Sequence, residues 1–357
     1  MDSCYKGHHT VSKLASPIAR YHKGRFGALP VLHTNRKHES ARLVEGAAEM
    51  PIADCHKMLL DAHEGGYAVG AFNATNLQDI SAMIEAAEAR SAPLIIQTTE
   101  RVVRFFGPRV ITAVFKVLAQ EASIPVGLHL DHCTDVSLAR ECADSGYSSV
   151  MFDGSGEPFE TNVRKTTEVV DYCHRRAGVY AEGELGAIGG REDDITRTAA
   201  EAQLCQPRQV LDFVQQTGVD WLAPAIGNTH GFYKTQNPVL DFERLGKIQA
   251  LITASGMRTP LVIHGGTGIP APSVRKLVAC GVVKFNVGTD LKKAKIDAAA
   301  AYVCDHRGEY LPEQINPQLK KAVKGMTESW LDRLDASGRA SSMGPDCLKG
   351  IRSGEVR

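Results

Sequence analysis

Three histidines, one aspartate and a pair of glycine-rich turns carry the chemistry available to this sequence. His132 ends the run His129-Leu130-Asp131-His132, His230 lies in Gly227-Asn228-Thr229-His230-Gly231, and His264 opens His264-Gly265-Gly266-Thr267-Gly268. Three neutral imidazoles on one rim would make a site with three protein ligands and an open position, the arrangement a catalytic zinc needs. These histidines lack the local spacing of a helical HExxH motif, so the reading depends on a fold that brings them together. Each also has an ordinary alternative, a hydrogen-bonding residue at a strand end, and Asp131 could be a surface carboxylate. His129 alternates onto the same strand face as Asp131 and is expected inside the fold as a structural residue. His56, His63, His174 and His306 fall on or near helical runs and read as solvated, and Cys133 reads as packing.

The glycines suggest a second function for the same region. His264-Gly265-Gly266-Thr267-Gly268 precedes a helix beginning near Pro270, and Asn286, Gly288, Thr289 and Asp290 precede another. Backbone N–H groups in glycine turns at helix N-termini bind anions such as phosphate. Turns with no ligand are the alternative. With the three histidines, the combination points to a divalent metal beside a phosphate.

The elements that must position these residues follow one pattern from Met50 onward. Strand-like runs lie at Tyr67–Asn73, Pro93–Thr99, Val126–His132, Ser149–Gly154, Val179–Gly186, Asp220–Gly227, Pro260–Gly266 and Val282–Asp290. Helical candidates separate them, from Cys55–Glu64 and Leu77–Ser91 through Arg109–Ser123, Ser137–Gly146, Pro158–Ala177, Pro207–Gly218, Phe242–Ala254 and Pro270–Gly281. Ala294–Val303 and a helix near Leu319–Leu334 follow. The apolar runs are continuous rather than alternating, as parallel strands covered on both faces require. Eight strand–helix units predict an α/β fold, a (β/α)₈ TIM barrel with extra C-terminal helices. A doubly wound open sheet is the rival, weakened by the count and by the lack of GxGxxG after the first strand. The long connections Ala187–Gln206 and Asn228–Leu240 read as loops at the C-terminal mouth, where such barrels place their chemistry.

Charge and cysteine usage narrow the partners. The 41 basic and 41 acidic side chains leave no global field to attract nucleic acid or a membrane surface, and no apolar run is long enough to span a bilayer. Nine scattered cysteines without a CxxC pair read as reduced thiols in a cytoplasmic setting. The neutrality is an average over unlike parts. Residues 1–44 carry Lys6, Lys13, Arg20, Lys23, Arg25, Arg36, Lys37 and Arg42 against only Asp2 and Glu39. Residues 1–49 therefore read as a flexible, disordered basic extension, 50–335 as the barrel and 336–357 as a C-terminal tail. An organellar transit segment is an alternative for the extension, although no clean amphipathic helix supports it.

The motifs in their order resemble the class II, zinc-dependent fructose-bisphosphate aldolase family, which includes tagatose-bisphosphate aldolases. MPIADCHKMLLDAHEGGYAVGAFN, LHLDHC, SVMFDGS, EGELGAIGGREDD, AIGNTHGFY, LVIHGGTGIP and KFNVGTDL carry the resemblance over about residues 50–335. It implies reversible retro-aldol cleavage of a ketose-1,6-bisphosphate to dihydroxyacetone phosphate and an aldehyde such as glyceraldehyde 3-phosphate. It implies His132, His230 and His264 as ligands of a catalytic zinc, and Asp131 as the acid–base at the C4 hydroxyl. Asp153 and Glu184 fall at a second or alternative metal position, and Glu192 at the residue assisting proton transfer at C3. Gly231, Gly265, Thr267, Asn286 and Thr289 match the cradle for phosphate and hydroxyls, and Asn73 and Thr99 match further substrate-side positions. A monovalent cation near the phosphate and a homodimer or homotetramer are also implied.

Departures from the family pattern concern the substrate. Gly288 stands where fructose-bisphosphate enzymes often have Asp or Asn, nearer to tagatose-type members. Arg101, Arg104 and Lys292 could meet the second phosphate, or the two arginines could be solvated residues at a helix start. An aldolase of the same family acting on another phosphorylated ketose, a Schiff-base aldolase using Lys284 and a metal-dependent barrel hydrolase are the rival activities.

Overall fold

A computed structural model describes residues 53–192, 195–198, 202–233 and 238–343, with side chains throughout except at 192 and 195–197. The expectation for residues 1–49 lies outside the described residues, as does most of 336–357. The chain begins with α1 (Cys55–Gly65), whose N-terminus Asp54 caps by accepting the Lys57 N–H at 3.0 Å and whose end turns at Gly66 with φ of 65°. Then follow β1 (Val69–Asn73), α2 (Leu77–Arg90), β2 (Leu94–Thr99), α3 (Glu100–Phe106), α4 (Pro108–Glu121), β3 (Val126–Cys133), α5 (Val136–Ser145), β4 (Ser149–Phe152), α6 (Phe159–His174) and β5 (Tyr180–Leu185). After β5 come β6 (Gly189–Glu192), β7 (Ile195–Arg197), α7 (Pro207–Thr217), β8 (Trp221–Pro224), β9 (Thr229–His230), α8 (Phe242–Ala254), β10 (Leu261–Ile263), α9 (Ala271–Ala279), β11 (Val282–Val287), α10 (Thr289–Asp305) and α11 (Asn316–Arg333).

Eight strands close into a parallel barrel in the order β1, β11, β10, β8, β5, β4, β3, β2. The last strand meets the first, with Ala71 opposite Asn286. The predicted (β/α)₈ barrel with C-terminal helices is what forms, and the open sheet is not. Strands such as β2 and β11 are buried along their whole length, as parallel strands covered on both faces are, although they carry Gln97, Lys284 and Asn286 among their apolar residues. Local signals set the helix starts. Asn76 and Asp79 form a reciprocal capping box on α2, Asp135 caps α5, Asp241 caps α8, and proline opens α4 and α7.

Three local expectations change. The segment after β5, read as a loop, contains β6 and β7, which join β9 in a separate three-stranded sheet. Strands of two to four residues are too short to show a period in sequence. Asp290, placed at the end of the eighth strand, belongs to α10, because the helix starts at Thr289 straight after Gly288. His56 is half-buried rather than simply solvated: it accepts the Trp221 indole N–H at 3.1 Å and stacks on Tyr180, and burial lowers its pKa. At the other end, Ala336 and Met343 are buried and the backbone of Gly338 and Ala340 bonds to Arg90 and Ser91 at the end of α2.

The barrel interior departs from the usual filling of branched apolar side chains. On β3, β5 and β11, the alternating pairs His129 and Asp131, Glu182 and Glu184, and Lys284 and Asn286 are all buried. Ordinary core packing does not call for this many buried polar groups, so they have to be accounted for by the site above them.

Candidate active site

The C-terminal ends of the strands surround a cleft lined by Asn73, Asp131, His132, His230, Gly231, Gly265, Gly266, Thr267, Asn286, Gly288 and Thr289. Asn73 ends β1, Asp131 and His132 lie on β3, His230 on β9, and His264 follows β10 directly. Residues scattered over more than two hundred positions thus meet because barrel strands all end at one mouth.

The three imidazoles converge. His132 and His264 have ring centroids 4.5 Å apart, His132 and His230 4.7 Å, and His230 and His264 6.2 Å. His132 sits at φ of 47°, an unfavoured backbone conformation for a residue with a side chain, as functional sites often retain. Its Nδ1 lies 2.8 Å from Asp153 Oδ2, and His264 Nε2 lies 2.7 Å from Glu182 Oε1. Carboxylates only accept, so those nitrogens carry hydrogens and the lone pairs fall on His132 Nε2 and His264 Nδ1. These two atoms face each other at 2.8 Å. Two lone pairs that close repel, so the geometry demands a proton or a cation beside them. Two overlapping groups satisfy metal-ligand spacing among the described residues: His132 with His230 and His264, and His132 with Asp153 and Glu184, each set within 4.8 Å. Three imidazoles with carboxylates close by suit zinc or a similar divalent ion.

The electrostatics agree. Burial works against a charge on His132, but the Asp131 charge, the Asp153 hydrogen bond and Glu184 outweigh it, and its pKa is raised to about 10. The ring therefore holds a proton wherever no metal takes its place. One layer down, burial also opposes ionisation of Glu182, yet Lys284 and His264 hold its carboxyl well below the ordinary range. Burial and the Lys284 charge push His129 well below its usual value, so its ring is neutral.

Asp131 is held from three sides. Asn73 Nδ2 donates to Oδ2 at 2.7 Å, Gln97 Nε2 to the same oxygen at 3.0 Å, and Asn286 Nδ2 to Oδ1 at 2.9 Å. An ionised carboxylate offers about four lone-pair positions. The clamp therefore leaves capacity for a further donor while fixing the group against rotation. His132 Nε2 is 4.0 Å from Oδ1.

The remaining wall is backbone. Gly265 has φ of 64°, and a Cβ there would lie 2.2 Å from the Thr229 carbonyl oxygen. Asn228 spans to the same turn by donating to the His264 carbonyl at 3.0 Å, and Tyr233 Oη donates to the Gly265 carbonyl at 3.1 Å. Thr267 Oγ1 accepts the Asp290 N–H at 3.1 Å, joining this turn to the start of α10. The cleft thus meets the N-terminus of a 17-residue helix, a natural position for an anion.

Other sequence-selected residues fall at varied distances from this centre. Thr99 is buried opposite Asp131 in strand register, outside the cleft lining. Glu192 is on β6, and its side chain lies outside the described residues. Arg104 is bound by Glu100 and by Asp135 at 2.8 Å, and Arg101 is exposed on the same short helix. Lys284 is fully buried with Nζ bonded to Glu182 and Asn286, which leaves it poorly placed to attack a carbonyl. Sequence reading passed over Gln97 and Glu182. Each precedes a selected residue by two positions on the same strand, so a polar residue at an inward position was the available signal.

Comparison with known proteins adds relatives. The family model described as fructose-bisphosphate aldolase class-II matches residues 53–339. The chain is similar to a fructose-bisphosphate aldolase of Staphylococcus epidermidis, 37% identical over 294 residues that span 82% of this chain and 100% of the relative. It is also similar to a sulfofructosephosphate aldolase of Alkalicoccus urumqiensis, 39% identical over 253 residues, 71% of this chain and 86% of the relative. The crystal structure of the YdjI aldolase from Escherichia coli K12 superposes with a TM-score of 0.69 at 30% identity, covering 81% of this chain and 99% of that one.

Proposed function

The chain belongs to the class II fructose-bisphosphate aldolase family, an enzyme family of carbon–carbon lyases, and on that premise we propose that it cleaves a ketose-1,6-bisphosphate, reversibly, to dihydroxyacetone phosphate and an aldehyde such as glyceraldehyde 3-phosphate. The observation that carries this reading is the clamped Asp131 carboxylate within 4.0 Å of His132 Nε2, in a cleft that also holds the Gly265–Thr289 wall.

In this reading His132, His230 and His264 hold the metal, with Asp153 and Glu184 as the alternative position. Zinc bound there supplies a Lewis acid for the negative charge that develops as the carbon–carbon bond breaks. Asp131 takes the proton of the C4 hydroxyl as the C3–C4 bond opens, and returns it in condensation. Asn73, Gln97 and Asn286 keep its free lone pair aimed into the cleft. Gly231, Gly265, Thr267 and Thr289 receive the phosphate at the start of α10, with a monovalent cation beside it, which fixes the C1 end and sets the breaking bond over the acid–base pair. Asn286 and Asn73 also face the substrate hydroxyls, Thr99 supports that wall, and Glu192 delivers the proton at C3.

The enzyme acts in carbohydrate metabolism, in the cytoplasm, as a homodimer or homotetramer. Exposed Ile296 and Val303 on α10 support self-association, and no helix among the described residues is long and apolar enough to cross a membrane. Residues 50–335 form its catalytic unit. The test is turnover of the purified protein on fructose- and tagatose-1,6-bisphosphate, before and after chelation and with zinc restored. Triose phosphate release that stops on chelation and returns with zinc is expected. Phosphate release without triose, or activity that survives chelation and is killed by borohydride with substrate, overturns the reading.

A further inference from the structure

Directly below the histidines lies a buried ion pair that the reaction above does not use. Glu182 on β5 and Lys284 on β11 have no solvent exposure, and Nζ donates to Oε2 at 2.8 Å. Each partner also reaches toward a residue of the site above it. Glu182 Oε1 lies 2.7 Å from His264 Nε2. Lys284 Nζ donates to Asn286 Oδ1 at 2.9 Å, and Asn286 Nδ2 donates in turn to Asp131 Oδ1 at 2.9 Å. The remaining neighbour is His129, 3.5 Å from Nζ through Nε2, whose other nitrogen lies 2.8 Å from Ser149 Oγ.

We propose that Glu182 and Lys284 form a positioning pair that sets both halves of the site at once. Glu182 fixes which nitrogen of His264 offers its lone pair, and Lys284 fixes which way the Asn286 amide faces and hence the orientation of Asp131. The inference rests on the metal and acid–base assignments made above.

Donor and acceptor chemistry dictates the arrangement. A carboxylate only accepts, so His264 must carry its hydrogen on Nε2 and present Nδ1 toward His132. An ammonium only donates, so the Asn286 atom beside Lys284 must be the oxygen, and the amide N–H₂ must face Asp131. Without that constraint the Asn286 amide is free to flip, setting its oxygen against the Asp131 carboxylate. Stability alone does not account for the pair, because buried ion pairs contribute little beyond what packed apolar side chains of similar volume provide. Orienting the outer nitrogen of a metal-binding histidine is, by contrast, a known determinant of metal affinity.

The test compares full-length wild type with Glu182→Gln, Lys284→Met and the double variant. The double variant carries no uncompensated buried charge, so it guards against loss of fold in either single one. Zinc affinity is measured on metal-free protein by competition with a chromophoric chelator, and kcat and KM on fructose-1,6-bisphosphate. Gln can donate or accept, so Glu182→Gln should weaken zinc roughly 10- to 100-fold. Lys284→Met should lower kcat by about 10²-fold, as for a misplaced catalytic group, with a smaller loss of zinc affinity than Glu182→Gln because the Glu182–His264 contact remains. Its KM should rise far less than its kcat falls, since Asn286 is only one of several groups facing the substrate. The double variant should show both losses. A folded double variant with wild-type zinc affinity and kcat overturns the inference, as does either single variant without its assigned loss. If wild type itself neither binds zinc nor cleaves the ketose, the metal and acid–base reading falls; if it does both and the variants match it, only the positioning role falls.

Discussion

The mouth of the barrel and the layer beneath it are built by opposite means. One wall of the mouth is made of backbone: Gly265 lies in the left-handed region with no room for a Cβ, and Gly231 likewise has φ of 82°. The layer beneath is made of side chains with fixed donor and acceptor roles, Gln97, His129, Glu182 and Lys284, which support Asp131 and Asn286 at the floor of the cleft. Backbone N–H groups suit a phosphate that is held unchanged through the reaction. A proton or metal that must be exchanged needs groups whose charge can change. The difference predicts that damage to the two regions shows up in different kinetic parameters.

The largest effect should come from the side-chain layer. Asp131→Ala is expected to lower kcat by roughly 10³- to 10⁴-fold, the upper part of the range for general acid–base catalysis. Zinc content, measured by elemental analysis, should stay at the wild-type level, and an unchanged kcat would remove Asp131 from its role. Next comes the backbone wall. Gly265→Ala must push its Cβ off the Thr229 carbonyl at a φ that L-residues avoid. We expect a stability loss of about 1–3 kcal/mol and a rise in KM for the bisphosphate larger than the fall in kcat. If kcat falls as steeply as in Asp131→Ala while KM is unchanged, the two regions are not distinct.

A third prediction uses pH, where a proton and a metal compete for His132. Its folded pKa is raised, from 6.5 to about 10, so protonation stabilises the metal-free protein. That contribution is complete below about 6.5 and is lost as pH climbs through about 10. The thermal midpoint of metal-free protein should therefore fall between pH 6.5 and 10. Zinc affinity should move the other way over the same interval, by roughly tenfold per pH unit for one displaced proton. Zinc affinity flat with pH would show that no ligand proton is displaced. The smallest effect belongs to neither region. Arg104 is half exposed and already paired with Glu100 and Asp135, so Arg104→Ala should leave kcat/KM within about twofold, as for an exposed ion pair. A tenfold rise in KM would instead place the second phosphate on α3.

The same contrast governs what could be read from the sequence. Glycine turns and terminal histidines announce themselves by residue type, and continuous apolar runs gave eight strands within a few residues of where they form. Gln97 and Glu182 were silent because one polar residue inside a strand looks the same whether it faces a barrel axis or a helix. Only closure of the sheet tells the two directions apart. The small sheet of β6, β7 and β9 was hidden for another reason: its strands are two to four residues long, and β9 joins from far along the sequence, with Gly190 opposite His230. Glu192 was selected through family resemblance, and its side-chain position is not among the described ones.

The seam between β1 and β11 has a consequence for how this protein comes into being. Asn73 and Asn286, both in contact with the Asp131 carboxylate, sit on the first and the last strands of the barrel. A ribosome that has released the chain through His264 has exposed every proposed histidine ligand but not the strand that finishes the cage around the acid–base residue. Loop-closure entropy makes such long-range pairing late and slow. Recovery of catalysis during refolding should therefore lag behind recovery of helical signal, and enzymatic turnover would then time the last event of assembly.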